Sequence, residues 1–301
     1  MVNSIVFCEG GYQVLLSRRG FLKDLGVVGS SMLLSAMGLV SEELAFSGGS
    51  DLTSLITKSP PDHPGDVFRS EAEREQKIEF LAGHEIQRGD RFRRSVLMTY
   101  DDQGHRVWID KILDAYQVVG GKASFFFTGD NLSMYVKQIR RIVAEGHVFG
   151  SHGLVHEPHT AMRSDEIRDQ IREWLRLVEN IIPGYEVKFF RFPYGDRNER
   201  VRRVIAEFGL QSVHWNVESG GLDQDTFRKV VENVFNGSIV LSHMTRYYDV
   251  YEAERILKQL RDHGYSLETV EVGMDLKDVY PPGTRSVRSY FPETLQKRLE
   301  P

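Results

Sequence analysis

Ser95-Val96-Leu97-Met98-Thr99-Tyr100-Asp101-Asp102 decides the fold. A short apolar run with β-branched and aromatic residues, ended by two carboxylates, predicts a buried strand with reactive groups at its C-terminal end. Downstream, similar runs alternate with amphipathic helices. Helix is predicted over 107–119, 132–145, 165–182, 198–208, 225–235 and 252–263, and strand over 123–127, 147–150, 187–190, 210–215, 237–241 and 266–272. Ile167, Ile171, Trp174, Leu175 and Val178 give the longest helix a single apolar face. Strand–helix alternation at these lengths implies βα units and a parallel sheet, hence an α/β fold: a distorted (β/α) barrel with fewer than eight parallel strands.

In that architecture the strand ends carry the chemistry. Asp101-Asp102, Ser151-His152, Arg191, Glu218 and His243 each follow a predicted strand. His152-Gly153-Leu154-Val155-His156 spaces two imidazoles by four residues; with an aspartate from another strand end they make a two-His, one-carboxylate set with open positions. His159, three residues on, is expected to be a solvated neighbour. The adjacent carboxylates of Asp101 and Asp102 point apart if strand geometry persists, so one can serve a metal and the other a water proton. Arg191-Phe192-Pro193-Tyr194-Gly195 joins a cation to a rigid turn whose N–H groups, such as that of Tyr194, can face an oxyanion. His243 ends an apolar strand where a general acid would stand.

Composition narrows the field. The formal net charge of −5 gives no electrostatic grip on nucleic acid or anionic lipid. The single cysteine, Cys8, excludes intrachain disulfides and thiolate zinc clusters, so a metal site must use His and carboxylate.

The N-terminal region, 1–47, reads as an address. Ser17-Arg18-Arg19-Gly20-Phe21-Leu22-Lys23 precedes a Gly-, Ser- and Ala-rich apolar stretch, Leu25 to Val40, that falls short of the ~20 residues a spanning helix needs. This is similar to a twin-arginine signal, implying the twin-arginine export machinery as a partner, no stable membrane span, and an exported, cell-envelope or extracellular location. Residues 48–94, with Pro60-Pro61 and Pro64-Gly65, are expected to be a linker and N-terminal cap with one exposed helix over 71–81. The catalytic barrel is expected over 95–272, with a C-terminal tail over 273–301.

Together, Thr99 through Asp102, His152 through His156, Arg191 through Gly195, Trp215 through Glu218 and Leu241-Ser242-His243 resemble, in order, the polysaccharide deacetylases with a NodB-like domain (carbohydrate esterase family 4). The resemblance implies that Asp101 is the general base and that Asp102, His152 and His156 are the ligands of a divalent metal, zinc first, with cobalt, nickel or iron as alternatives. It implies that Arg191 holds Asp101, that Tyr194 supplies an oxyanion N–H, and that Trp215 lies at the substrate. His243 would be the general acid, with Glu218 orienting it. The implied activity is removal of acetyl groups from glycans such as chitin oligomers or peptidoglycan. Departures stand at Gln103, which precedes Gly104 where Gly usually follows the Asp pair directly, at Glu218 for Asp, at Gly221-Leu222 for Asp-Trp, and at Met244 for Asp. An amidase on a small amide, a silent glycan-binding module and a two-His, one-carboxylate Fe(II) oxygenase are the rival readings.

Overall fold

The structure, a computed structural model, describes residues 4–9, 12–17 and 70–274. The chain divides into two compact units, 1–59 and 60–301. In the first, β1 (Ser4–Glu9) pairs antiparallel with β2 (Tyr12–Ser17). The arginine pair, the apolar stretch after it, Pro60-Pro61 and the tail beyond 274 lie outside the described residues. Among the described residues no helix is long and apolar enough to cross a membrane.

The second unit is built on β3 (Ser95–Asp101), β4 (Ser124–Phe127), β5 (Val148–Ser151), β6 (Phe189–Phe190), β7 (Gln211–Ser212), β8 (Val217–Glu218) and β9 (Ser238–His243). These seven strands are parallel and lie in the order β7-β6-β5-β4-β3-β9-β8. A two-residue strand, β10 (Ser266–Leu267), stands off this path and pairs with the start of β3. The helices are α1 (Glu71–Gly83), α2 (Arg106–Val119), α3 (Val136–Ala144), α4 (Ser164–Ile181), α5 (Glu199–Ala206), α6 (Thr226–Asn233), α7 (Tyr247–Tyr251), α8 (Ala253–Asp262) and the short α9 (Val270–Gly273). The result is the expected distorted (β/α) barrel, curled but not closed.

Every residue of β3 is buried, and the period of two decides what each one meets. Val96, Met98 and Tyr100 join the core shared with the flanking helices, including Ile109, Ile112 and Leu113 of α2. Leu97 faces the other way, into a second cluster with Phe126, Phe189, Val213 and Ile239. Thr99 and Asp101 share the parity of Leu97, so the strand delivers one carboxylate to the face turned away from α2.

Several elements differ from expectation. The helix over 71–81 is not exposed: Ile78, Phe80, Leu81 and Ala82 of α1 are buried against that second cluster. Its apolar residues are crowded into the last turn rather than spread at helical spacing, which hid the buried end. The strand expected over 210–215 pairs only at Gln211–Ser212, and Val217–Glu218 forms a separate strand beside β9. β7 and β8 do not pair with each other. The lead-in segment spans that opening instead: the Ile86 N–H donates to Ser212 O at 2.9 Å, the His214 N–H to Ile86 O at 2.7 Å, and the Gly89 N–H to Gly237 O at 2.8 Å. The helix over 252–263 is α8, but the short α7 that precedes it was not expected, and the last strand stops at Leu267.

Candidate active site

Parallel register brings the candidate residues to one end of the sheet. Asp101 is the lateral partner of both Phe126 on β4 and His243 on β9. Ser151 is the partner of Phe190, so His152 and Arg191 leave neighbouring strands side by side.

Asp101 is buried, and its Oδ1 accepts from Arg191 Nη1 at 2.9 Å. The same nitrogen donates to Thr99 Oγ1 at 2.5 Å, while Nε and Nη2 donate to the carbonyls of Val213 and His214 at 3.3 and 3.2 Å. The guanidinium also lies over the Phe126 ring, 4.4 Å from its centroid. A fully buried cation is thus bonded on every nitrogen and fixed against one carboxylate. Burial pushes the Asp101 carboxyl above its ordinary range, and the charges of Arg191 and His243 pull it back.

Asp102 turns the chain at φ 64°, a backbone state uncommon for a residue with a Cβ. Its Oδ1 lies 3.6 Å from Nε2 of His152 and 3.6 Å from Nε2 of His156. His152 Nδ1 lies 2.8 Å from the main-chain oxygen of Arg191, so that nitrogen carries the proton and donates, leaving the Nε2 lone pair free. Burial holds His152 down to about 3, the state a ligand needs. Ligand atoms of Asp102, His152 and His156 all lie within 4.8 Å of one another. Two neutral imidazoles and a carboxylate, one ring locked in its tautomer from behind, fit a divalent transition metal.

The segment after β5 that carries these histidines is not a helix. It is anchored by His159, which is fully buried rather than solvated; its ring meets Phe190 and Phe192 edge-on and stands under Gly153. His159 takes no place among the three clustered ligands. Its apolar cage comes from β6 and the residues beyond, which local spacing does not reveal.

Pro193–Gly195 forms a tight turn with Tyr194 at φ 60°, ψ 5°. The Tyr194 amide donates to no acceptor among the described residues. Its ring is exposed and stands 4.4 Å from the His156 ring, centroid to centroid. The Trp215 ring lies tilted against His214, centroids 4.0 Å apart, beneath Gly195, where a Cβ would press on the indole.

His243 is half-buried, and burial pulls it down to about 4 against the opposing pull of Asp101. Its Nδ1 is buried without a partner among the described residues. Glu218, expected to orient it, does otherwise: exposed at the end of β8, it accepts from the Trp215 indole N–H at 2.8 Å. The carboxylate beside His243 is Asp249 of α7, buried and raised to about 6 by that burial, with Oδ2 accepting the main-chain N–H of His243 at 2.8 Å. Sequence reasoning missed it. The available signal was Gly221, at φ 65°, where a Cβ would strike the Asp249 carboxylate. Gln103 also gains a reason: its amide ties the β3 loop to Thr128 and Asp130, with bonds of 2.7 Å to Thr128 Oγ1 and to Asp130 O. Gly104 follows it because a Cβ there would collide with the carbonyl of Met244.

A buried Asp–Arg pair, a second aspartate with two histidines and a histidine on the strand next to the first aspartate, all at the strand ends of an open βα barrel, are the groups of a hydrolase-type site. The polysaccharide deacetylase family model matches residues 88–213. A chitooligosaccharide deacetylase of Sinorhizobium fredii is 30% identical over 153 residues, which cover 50% of this chain and 71% of that protein. A peptidoglycan-N-acetylglucosamine deacetylase of Bacillus cereus is 32% identical over 183 residues, 58% of this chain; the match spans 66% of that protein's length. The solved structure of the Bc1960 peptidoglycan N-acetylglucosamine deacetylase superposes with a TM-score of 0.59 at 30% identity, over 62% of this chain and 91% of that one. The chain belongs to the polysaccharide deacetylase family, with the NodB-homology fold of carbohydrate esterase family 4.

Proposed function

We propose that the protein is a metal-dependent deacetylase that hydrolyses acetamide groups on a glycan of the chitin-oligomer or peptidoglycan type. The observation that carries this reading is the convergence of Asp102, His152 and His156 beside a separately held Asp101. Asp102, His152 and His156 would hold the cation, zinc by the family resemblance. When bound there it supplies Lewis acidity toward the amide carbonyl and a lower pKa for water.

The protein's own groups do the rest. Asp101, kept ionised by Arg191, removes a proton from the attacking water. Its raised basicity relative to a bonded surface aspartate suits that work. The Tyr194 N–H, without an acceptor among the described residues, donates to the oxyanion. His243, lateral neighbour of Asp101, delivers a proton to the departing amine. A depressed pKa makes its imidazolium a strong acid, and ionised Asp101 is the charge that favours forming it. Trp215, held by Glu218, forms a wall of the substrate site.

The presence of Asp101, Arg191 and His243 together speaks against a silent binding module, since binding alone requires none of them. The Ser17–Lys23 arginine motif supports export by the twin-arginine route, consistent with an envelope or extracellular glycan. The test is acetate release from chito-oligomers, peptidoglycan and acetylated xylan, with metal content measured in parallel. Release from none of them by metal-replete protein overturns the reading.

A further inference from the structure

The Pro193–Gly195 turn holds two consecutive residues in the left-handed region, Tyr194 at φ 60° and Gly195 at φ 65°. Backbone of that kind keeps its shape only where its surroundings fix it. Inside the turn the Gly195 N–H donates to Phe192 O at 2.9 Å, and the Asp196 N–H to Pro193 O at 3.0 Å. Those bonds close the turn but do not fix its place on the barrel.

Two side chains anchor it from outside. On one flank Asp196 Oδ2 accepts from the Thr160 N–H at 3.0 Å and from Thr160 Oγ1 at 2.5 Å. That ties the turn to the segment carrying His152 and His156. On the other flank Arg197 reaches back: its Nη1 donates to the Gly195 carbonyl at 2.8 Å, and its Nε meets Glu85 Oε1 at 2.5 Å.

Glu85 comes from outside the barrel, in the lead-in segment that spans the gap between β7 and β8. The chain is pinned on both sides of it. The Gln211 side-chain amide donates to His84 O, and Ile86 bonds through its N–H and its carbonyl to Ser212 and His214. Ser212 Oγ and Gln87 Nε2 also donate to the Glu85 carboxylate, each at 2.9 Å. Burial pushes that carboxyl up, but Arg197 and these donors outweigh it and hold it below its ordinary range.

An exposed ion pair would matter little. Here the Glu85 side chain is 7% exposed and that of Arg197 22%. A fixed, ionised carboxylate thus locks a guanidinium that would otherwise move freely, and the guanidinium clasps the carbonyl next to Tyr194. Charge-assisted bonds are the stronger ones, so a neutral side chain at 85 would hold the turn less firmly. Firmness matters to the reaction, because a catalytic group displaced by about 1 Å can cost roughly 100-fold in rate.

We propose that Glu85, acting through Arg197, is a positioning residue that holds the Tyr194 amide in place for the oxyanion. The proposal rests on the glycan deacetylase reading, in which that amide is the donor.

The experiment has two arms, run on wild type, Glu85→Gln, Arg197→Gln and the double variant. In the first, zinc-loaded proteins, normalised to bound metal, deacetylate the pentamer of N-acetylglucosamine. In Glu85→Gln, kcat is expected to fall about tenfold, short of the roughly 100- to 1,000-fold that outright loss of an oxyanion donor costs. KM and metal content should stay as in wild type. The double variant should lose no more than the worse single one, because both residues act through one contact. In the second arm, hydrogen–deuterium exchange over residues 192–197 should quicken about tenfold in Glu85→Gln, with β3 unchanged. Should Glu85→Gln fail to fold, Arg197→Gln carries the same two readouts. Unchanged kcat overturns the proposal, as do unchanged exchange over 192–197, additive losses, or exchange that quickens equally in β3. If wild type releases no acetate from any glycan, the catalytic reading falls by itself. The exchange arm then still decides whether Glu85 holds the turn.

Discussion

Nδ1 of His152 lies 2.8 Å from the main-chain oxygen of Arg191, while the Arg191 side chain holds Asp101 at 2.9 Å. One residue therefore fixes the tautomer of a metal-site imidazole with its backbone and the carboxylate next door with its guanidinium. Metal binding and proton abstraction are geometrically joined but chemically separable.

The separation is testable in two variants. Asp101→Asn should lower kcat by about 100- to 10,000-fold, the usual worth of a general base, with metal content retained. His152→Ala should lose both activity and metal. Metal analysis of the purified proteins beside acetate release checks the pair, and loss of metal in Asp101→Asn would contradict the assigned roles.

Removing Arg191 should cost stability as well as turnover. Arg191→Met leaves Asp101 buried without its cation, a loss of about 3–5 kcal/mol. Arg191→Lys should recover only part, because one ammonium cannot reach Thr99, Asp101, Val213 and His214 together. Urea unfolding of both variants gives the comparison.

His147 should make the fold acid-labile. Its Nδ1 accepts from the Ala123 N–H at 3.0 Å, and burial lowers it from 6.5 to about 4. Above pH 6.5 the ring is neutral whether the chain is folded or not. Between about 6.5 and 4 the unfolded chain binds a proton the folded one refuses, so stability falls as pH falls, by roughly 3 kcal/mol at most. His147→Asn keeps an acceptor for Ala123 and removes the titration. Denaturation midpoints between pH 7 and pH 4 should decline less steeply for that variant.

The buried end of α1 should be structural. Leu81→Ala removes packing from the cluster that contains Leu97, Phe126 and Ile239, at about 2–5 kcal/mol. An exposed helix would tolerate the change within roughly 0.5 kcal/mol, so thermal unfolding separates the two descriptions.

Much of this was legible because chemistry and periodicity coincided. β3 reads as strand on either face, and the groups after β3, β5, β6 and β9 stand at strand ends in the sequence as they do in space. What escaped detection depends on contacts remote in the chain. Asp249 looks like a surface residue among tyrosines and becomes buried only because α7 folds under the Gly221 turn. His159 reads as a solvated neighbour until Phe190 and Phe192 enclose it. Glu218 follows what reads as the strand ending at Trp215, yet it belongs to β8 on the far side of β9.

The gap between β7 and β8 has a kinetic meaning. Residues 86–89 are made before any strand of the barrel, but their main-chain partners at Ser212, His214 and Gly237 emerge far later. Such distant pairing pays its loop-closure entropy late, so this stave is expected to be fitted last, when the rest of the cask already stands. Trimming the chain just ahead of β3 would then spare the reactive groups yet leave the vessel split along one side.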